Sequence, residues 1–144
     1  MQTKPDPQGT FAILEGKQDG HRLVLTLDTS LSHFGDKSEF PYFLAVHTEL
    51  ANPTVEGLTT KAEADELNAW EELVDGRLKA ATKTVFVGRV TWNGRRELLY
   101  YVNGDRPAQE TLTALSSAKS DRSFSFSCQR DDDWKKVESY LNSR

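Results

Sequence analysis

The sequence predicts an α+β domain of the plan βαββαβ, with a β-hairpin in front of it and a helix behind, and three observations predict it. From Pro41 to the last residue the hydrophobic period switches in the order strand, helix, strand, strand, helix, strand. An Asn93-Gly94 pair divides two alternating runs, the signature of a two-residue hairpin turn with positive φ at both positions. A run of acids, Asp131, Asp132 and Asp133, precedes Trp134, Val137 and Leu141 and marks a helix start. Elements in that order make a ferredoxin-like, split βαβ antiparallel sheet with helices on one face.

The elements follow in order. Residues 1–9 carry Pro5, Pro7 and Gly9 with little to bury, and are expected to form a flexible arm ahead of one domain over residues 10–144. Phe11 to Leu14 predicts a short strand, Gly16 to Gly20 a polar turn, and Leu23 to Leu27 a second strand. Asp28 to Phe40 mixes Ser, Gly and charge and predicts a connection with one helical turn around Leu31 and Phe34. Tyr42 to Leu50 is apolar on both faces, as an interior strand requires. Thr60 and Glu63 form a capping box ahead of Leu67, Trp70, Val74 and Leu78, which predicts a helix over about 61–81. Gly76 inside it costs on the order of 1 kcal/mol against Ala and is expected to mark close packing. Thr84 to Trp92 and Arg95 to Asn103 are the paired strands. Pro107 in a first turn, with Leu112 and Leu115, predicts a short helix. Phe124, Phe126 and Cys128 alternate with serines in a last strand. The expected core includes Phe43, Val46, Leu67, Trp70, Val85, Val87, Phe124, Phe126 and Trp134.

Bulk properties exclude several function classes. The net charge of −4 opposes non-specific nucleic-acid binding, which needs cations to displace counterions. A single cysteine, Cys128, forbids an intramolecular disulfide, and Met1 to Gly9 holds no apolar run, so a reducing cytoplasm is the expected location. Mean hydropathy is −0.61, and no run reaches membrane-spanning length.

Little in the sequence points to chemistry. His21, His33 and His47 fall in separate segments without ligand spacing, so no metal site is expected. Cys128 faces the same way as Phe124 and Phe126, as a buried inert thiol would. Phosphate-binding, dinucleotide and nucleophile-elbow motifs are absent, and no catalytic residue or cofactor is expected. The three consecutive acids at 131–133 could hold a cation but read better as helix caps. Two surfaces remain as candidates for a partner. One is the acidic helix, with Glu63, Asp65, Glu66, Glu71, Glu72 and Asp75, of which Glu66, Glu71 and Asp75 are the expected contacts with a basic protein. The other is the hairpin cluster of Arg89, Arg95, Arg96 and Tyr101, where cations beside aromatics could stack RNA; a solvated strand edge explains it as well. The leading expectation is a non-catalytic protein-binding or regulatory domain. An uncharacterised hydrolase or metal-dependent enzyme and an RNA-binding domain are the alternatives.

From about Glu56 onward the chain also resembles a known family. Glu56-Gly57-Leu58 ahead of the acidic helix, Gly94-Arg95-Arg96-Glu97-Leu98-Leu99-Tyr100-Tyr101 in the hairpin, and Asp132-Asp133-Trp134 followed by Tyr140 together resemble the bacterial domain of unknown function 695. Thr59 stands where the family pattern leads one to expect Pro. The resemblance implies a ferredoxin-like plan and, by its acidity, likeness to the protein inhibitors of ribonuclease E, the endoribonuclease that initiates bacterial RNA decay. It implies no catalytic residues.

Overall fold

The computed structural model describes residues 11–118 and 122–142. The arm expected over residues 1–9 lies outside the described residues. Strands β1 (Phe11–Gln18), β2 (His21–Asp28) and β3 (Tyr42–Glu49) precede helix α1 (Lys61–Ala81). After them come β4 (Thr84–Trp92), β5 (Arg95–Val102), α2 (Asp105–Ser117), β6 (Ser125–Arg130) and α3 (Lys135–Asn142). All six strands form one antiparallel sheet in the order β1-β2-β4-β5-β3-β6, so the architecture is mixed α and β.

The first strand runs further than its apolar residues predict. Glu15, Gly16, Lys17 and Gln18 continue the ladder opposite Val24, Leu23, Arg22 and His21, and the chain reverses at Asp19-Gly20 with φ of +52° and +81°. The turn therefore belongs to the Asp-Gly pair, which tolerates positive φ, and not to the whole stretch from Gly16. The Asn93-Gly94 turn has the expected form, with φ of +48° and +81°. The hairpin β1–β2 lengthens the sheet at β4 and does not cover a sheet face. β2 lies so close to β4 that a Cβ on Gly88 would stand 2.2 Å from the Thr26 carbonyl oxygen, so only glycine fits there.

Alternation sorts the strands into two faces. On the first, Leu44, Val46, Leu98, Tyr100 and Val102 meet Leu67, Trp70, Val74 and Leu78 of α1 and Ala108, Leu112 and Leu115 of α2. On the second, Leu25, Leu27, Ala45, Val87, Leu99 and Tyr101 meet Leu31, Trp134 and Val137. Leu31 lies in the helical turn Thr29–His33, capped by Asp28, as the connection's sequence predicts. Phe124, Phe126 and Cys128 pack on the first face, and burial raises the Cys128 thiol to about 11, which keeps it protonated.

Three local expectations are corrected. Gly76 has nothing within 4 Å of where a Cβ would stand, so no close packing explains it. Trp134 precedes α3 and does not sit in its register; its φ is +57°, and its ring stacks on Tyr101 at 4.1 Å between centroids while its indole N–H donates to the Phe40 carbonyl at 2.9 Å. Of the three acids, Asp131 makes the cap, accepting from the Lys135 and Lys136 amides at 3.0 and 2.9 Å, whereas Asp132 pairs with Arg130.

The start of α1 is pinned more firmly than a capping box would manage. Thr60 accepts from the Glu63 amide at 3.2 Å, but the Glu63 carboxylate does not reach back to Thr60. It turns inward, only 2% exposed, and accepts from the amides of Ala51 and Asn52 at 2.7 and 2.9 Å and from the Arg122 guanidinium at 2.9 Å. Burial alone would raise its pKa; the two amides and the guanidinium outweigh that and hold it below the ordinary value.

Candidate functional site

Helix α1 covers β3, β5 and part of β4, and its far flank looks across at the hairpin β1–β2, whose first face carries no helix among the described residues. Between them opens a cleft of about 600 Å³, bounded by Phe11, Asp28, Phe34, Phe86, Arg89 and the α1 residues Glu71, Glu72, Asp75 and Lys79. A volume in this range is typical of ligand-binding clefts. Its floor is aromatic: the Phe11 and Phe86 rings lie 6.1 Å apart, and the Arg89 guanidinium stands over Phe86 at 5.4 Å. Helical spacing explains the acidic wall, since Glu71 and Asp75 are four residues apart and follow the apolar stripe of Leu67, Trp70, Val74 and Leu78 by one position.

Two of the wall carboxylates are already engaged. Glu71 grips Arg89 by two hydrogen bonds, the Nε one at 2.8 Å, and Asp75 pairs with Lys79 at 3.0 Å. Arg89 stays charged: burial would lower its pKa, and the Glu71 hydrogen bonds and charge raise it. Behind Phe86 the Tyr100 hydroxyl is buried, with no hydrogen bond of ordinary geometry among the described residues, and burial together with the nearby Asp75 and Glu71 carboxylates raises its pKa. No histidine or cysteine lines the cleft among the described residues, and none of these residues form a cluster of three or more His, Cys, Asp or Glu able to hold a metal ion.

The structure divides the expected contact residues. Glu71, Asp75 and Arg89 meet in the cleft, but Glu66 stands on the opposite flank of α1, exposed and 3.8 Å from Arg122. Glu63, counted with the acidic face, is buried. The hairpin cluster does not form one surface, because alternate residues of β5 point to opposite faces. Arg96 lies beneath α1, 7% exposed, donating to the Thr91 hydroxyl at 2.7 Å; burial and the neighbouring Arg89 charge lower its pKa to about 10. Tyr101 is fully buried on the other face under Trp134, its hydroxyl donating to Asp131 at 2.6 Å. Burial, then that hydrogen bond and the Asp131 charge, raise the phenol pKa. Arg95 alone is exposed, stacked over Trp92 at 5.6 Å beside the ion pair of His47 and Glu97 at 2.8 Å.

Sequence reasoning missed Asp28, Phe11 and Glu72 as members of one site. Asp28 and Phe11 are opposite each other across β1 and β2, and this pairing carries them to α1 only because β2 lies against β4. Nothing local in the sequence encodes that contact.

No helix among the described residues is long and apolar enough to cross a membrane. Searches of curated proteins and of solved structures find no match. The sequence does match the model of a family described as a family of unknown function, DUF695, over residues 13–142. That span takes in β2, all of β1 but its first two residues, and residues 56–142, so most of the hairpin is part of the shared unit, with the cleft residue Phe11 just ahead of it. With residues 13–142 matched, nearly its whole length, the chain belongs to the DUF695 family.

Proposed function

We propose that this protein is a non-catalytic binding domain that recognises a basic protein partner through the acidic flank of α1 and the cleft beside it. The observation that carries the reading is the wall of Glu71, Glu72 and Asp75 facing Asp28 across an aromatic floor. Carboxylates against aromatic faces favour cations, and Lys79 and Arg89 leave that wall with more negative than positive charge. Glu71 and Asp75 are held by their own cations, an arrangement that fixes charge in place and does not poise a group to move protons. The RNA-binding alternative loses its support, because Arg95, Arg96 and Tyr101 do not share an open surface.

The order β6-β3-β5-β4 within the sheet supports reading the core unit as ferredoxin-like, one domain with the hairpin added at its β4 edge. A cytoplasmic location fits the single free thiol of Cys128.

The test is affinity capture from the host's lysate at low and moderate salt, comparing the wild type with Glu72→Lys and the double variant Glu72→Lys/Asp75→Lys. A basic protein retained by the wild type and released by both variants, with the melting temperature unchanged in Glu72→Lys, supports the reading. Equal retention by all three proteins overturns it.

A further inference from the structure

Charges buried in folded proteins are paired, because a guanidinium taken out of water without a counter-charge is costly. Arg89 and Arg122, each with little of its side chain exposed, follow the rule: Arg89 grips Glu71, and Arg122 grips Glu63. Arg96 departs from it. The residue is 7% exposed, and its guanidinium makes one hydrogen bond among the described residues, from Nε to the Thr91 hydroxyl oxygen at 2.7 Å. That hydroxyl is neutral, and both terminal nitrogens are left without an acceptor among the described residues.

The acids that act on Arg96 are held elsewhere. Arg89 and Arg122 repel it, while Glu71 and Glu63 attract it. Both oxygens of Glu71 accept from Arg89, and those of Glu63 accept from two amides and from Arg122. Thr91 and Thr48 stand opposite Arg96 on the neighbouring strands β4 and β3, 5% and 2% exposed. The Thr48 hydroxyl donates to the Ser123 carbonyl at 2.8 Å, whereas the Thr91 hydroxyl accepts from Arg96 and donates to nothing among the described residues. Donors therefore gather at one place with no acceptor to receive them: the N–H groups of both Arg96 terminal nitrogens and the Thr91 O–H. The place is not sealed. Among the described residues the fully buried side-chain atoms without a partner are Trp70 Nε1 and the Tyr100 hydroxyl, so the Arg96 terminal nitrogens still reach solvent.

We propose that Arg96 anchors a binding site for a small oxyanion, the carboxylate or phosphate group of a small molecule. Its terminal nitrogens offer parallel N–H bonds to two oxygens, the fork geometry that suits both groups, and the Thr91 hydroxyl adds a third donor. The bond from Nε to Thr91 holds the fork in place before the anion arrives. At neutral pH the guanidinium is charged, since burial and Arg89 lower its pKa only to about 10. Arg96 does not line the cleft beside α1, and its ligand has the opposite charge to the partner proposed there, so the two readings stand or fall separately.

The probes are inorganic phosphate and acetate, added separately to the full-length protein in chloride at constant ionic strength. The expected result is a saturable rise in melting temperature, about 3–5 °C at ten times the dissociation constant. Over the same concentrations the Arg96 side-chain Nε–H signal and the amides of Thr91, Arg96 and Thr48 should shift in NMR spectra. A response to phosphate alone assigns a tetrahedral anion, to acetate alone a planar one, and either supports the site. Arg96→Met puts an apolar chain in place of an unpaired buried charge; it should melt at or above the wild type without anion and lose the rise. Arg96→Lys keeps the charge without the fork and should bind about tenfold or more weakly. Should either variant fail to fold, the titration of the wild type decides alone. No shift at Arg96 with either anion at about 50 mM, where a millimolar site is filled, means that water alone solvates the guanidinium and overturns the proposal. Shifts confined to the exposed Arg95 and Arg106, or an equal rise in melting temperature in the wild type and Arg96→Met, mark general salt action and overturn it as well.

Discussion

Replacing Glu63 by alanine should be among the most damaging single changes available on α1, although the residue looks in sequence like one more solvated acid. The carboxylate is 2% exposed and takes three donors: the Ala51 and Asn52 amides at 2.7 and 2.9 Å and Arg122 at 2.9 Å. Removing it takes the acceptor from two amides and the nearest carboxylate from a largely buried guanidinium, which keeps its bond to the Glu49 carbonyl and the more distant Glu66. Loss of one partner from a buried ion pair costs about 3–5 kcal/mol. With a urea m-value of about 2 kcal/mol/M, the midpoint should fall by roughly 2 M. Glu63→Gln keeps an acceptor oxygen for one amide and should fall by less. The dependence on pH follows from the sign of the shift. The folded pKa lies below the ordinary value of 4.5, so the stabilisation is present above pH 4.5 and lost as pH falls through the folded pKa. The gap between wild type and Glu63→Ala should therefore be widest at neutral pH and close in acid. Urea unfolding followed by far-ultraviolet circular dichroism at neutral and acid pH measures both effects. A Glu63→Ala midpoint at neutral pH within experimental error of the wild type refutes the reasoning, since it would mean the donors find water at no cost.

Three further outcomes are expected. Glu71→Gln loses the charge that pairs with half-buried Arg89 and should lower stability by about 1–2 kcal/mol in urea unfolding, whereas Glu72→Lys should leave the midpoint unchanged. His47 is held above its ordinary value of 6.5 chiefly by its hydrogen bond to Glu97, so the pair's stabilisation is full below pH 6.5 and is lost as pH rises through the folded pKa; an NMR titration should show the His47 pKa fall in Glu97→Gln. Gly88→Ala places a Cβ 2.2 Å from the Thr26 carbonyl and should raise hydrogen exchange selectively in β1 and β2, with β3 and β6 protected as before.

What was legible in the sequence was whatever is encoded locally. Helix α1 was readable to the residue because Thr60, the Leu67-Trp70-Val74-Leu78 stripe and the end at Ala81 all lie on one stretch of chain. The Asn93-Gly94 hairpin was readable for the same reason. The site was not, because membership depends on which strands become neighbours. Glu66 and Glu71 look alike in sequence, yet the helical turn sends one toward Arg122 and the other toward Arg89. Arg95 and Arg96 are adjacent, yet the pleat places one in solvent and the other beneath α1. No local signal marks Gly88, and only the approach of β2 shows why it is glycine.

The position of the hairpin sets the order in which the chain can complete itself during synthesis. β1 and β2 can pair as soon as they emerge, but Leu25 meets Val90 and Leu27 meets Gly88, so their neighbour in the sheet is made only after β3 and all of α1 have been translated. Until then the row Leu23, Leu25 and Leu27 has Leu14, Leu31, Phe34 and Phe40 beside it but lacks Val87, Leu99, Tyr101 and Trp134, and a nascent chain stalled before Thr84 would display it together with an open strand edge. Ribosome-bound chains of increasing length should accordingly lose part of their affinity for chaperones when β4 clears the exit tunnel, and the rest once Trp134 and Val137 have followed.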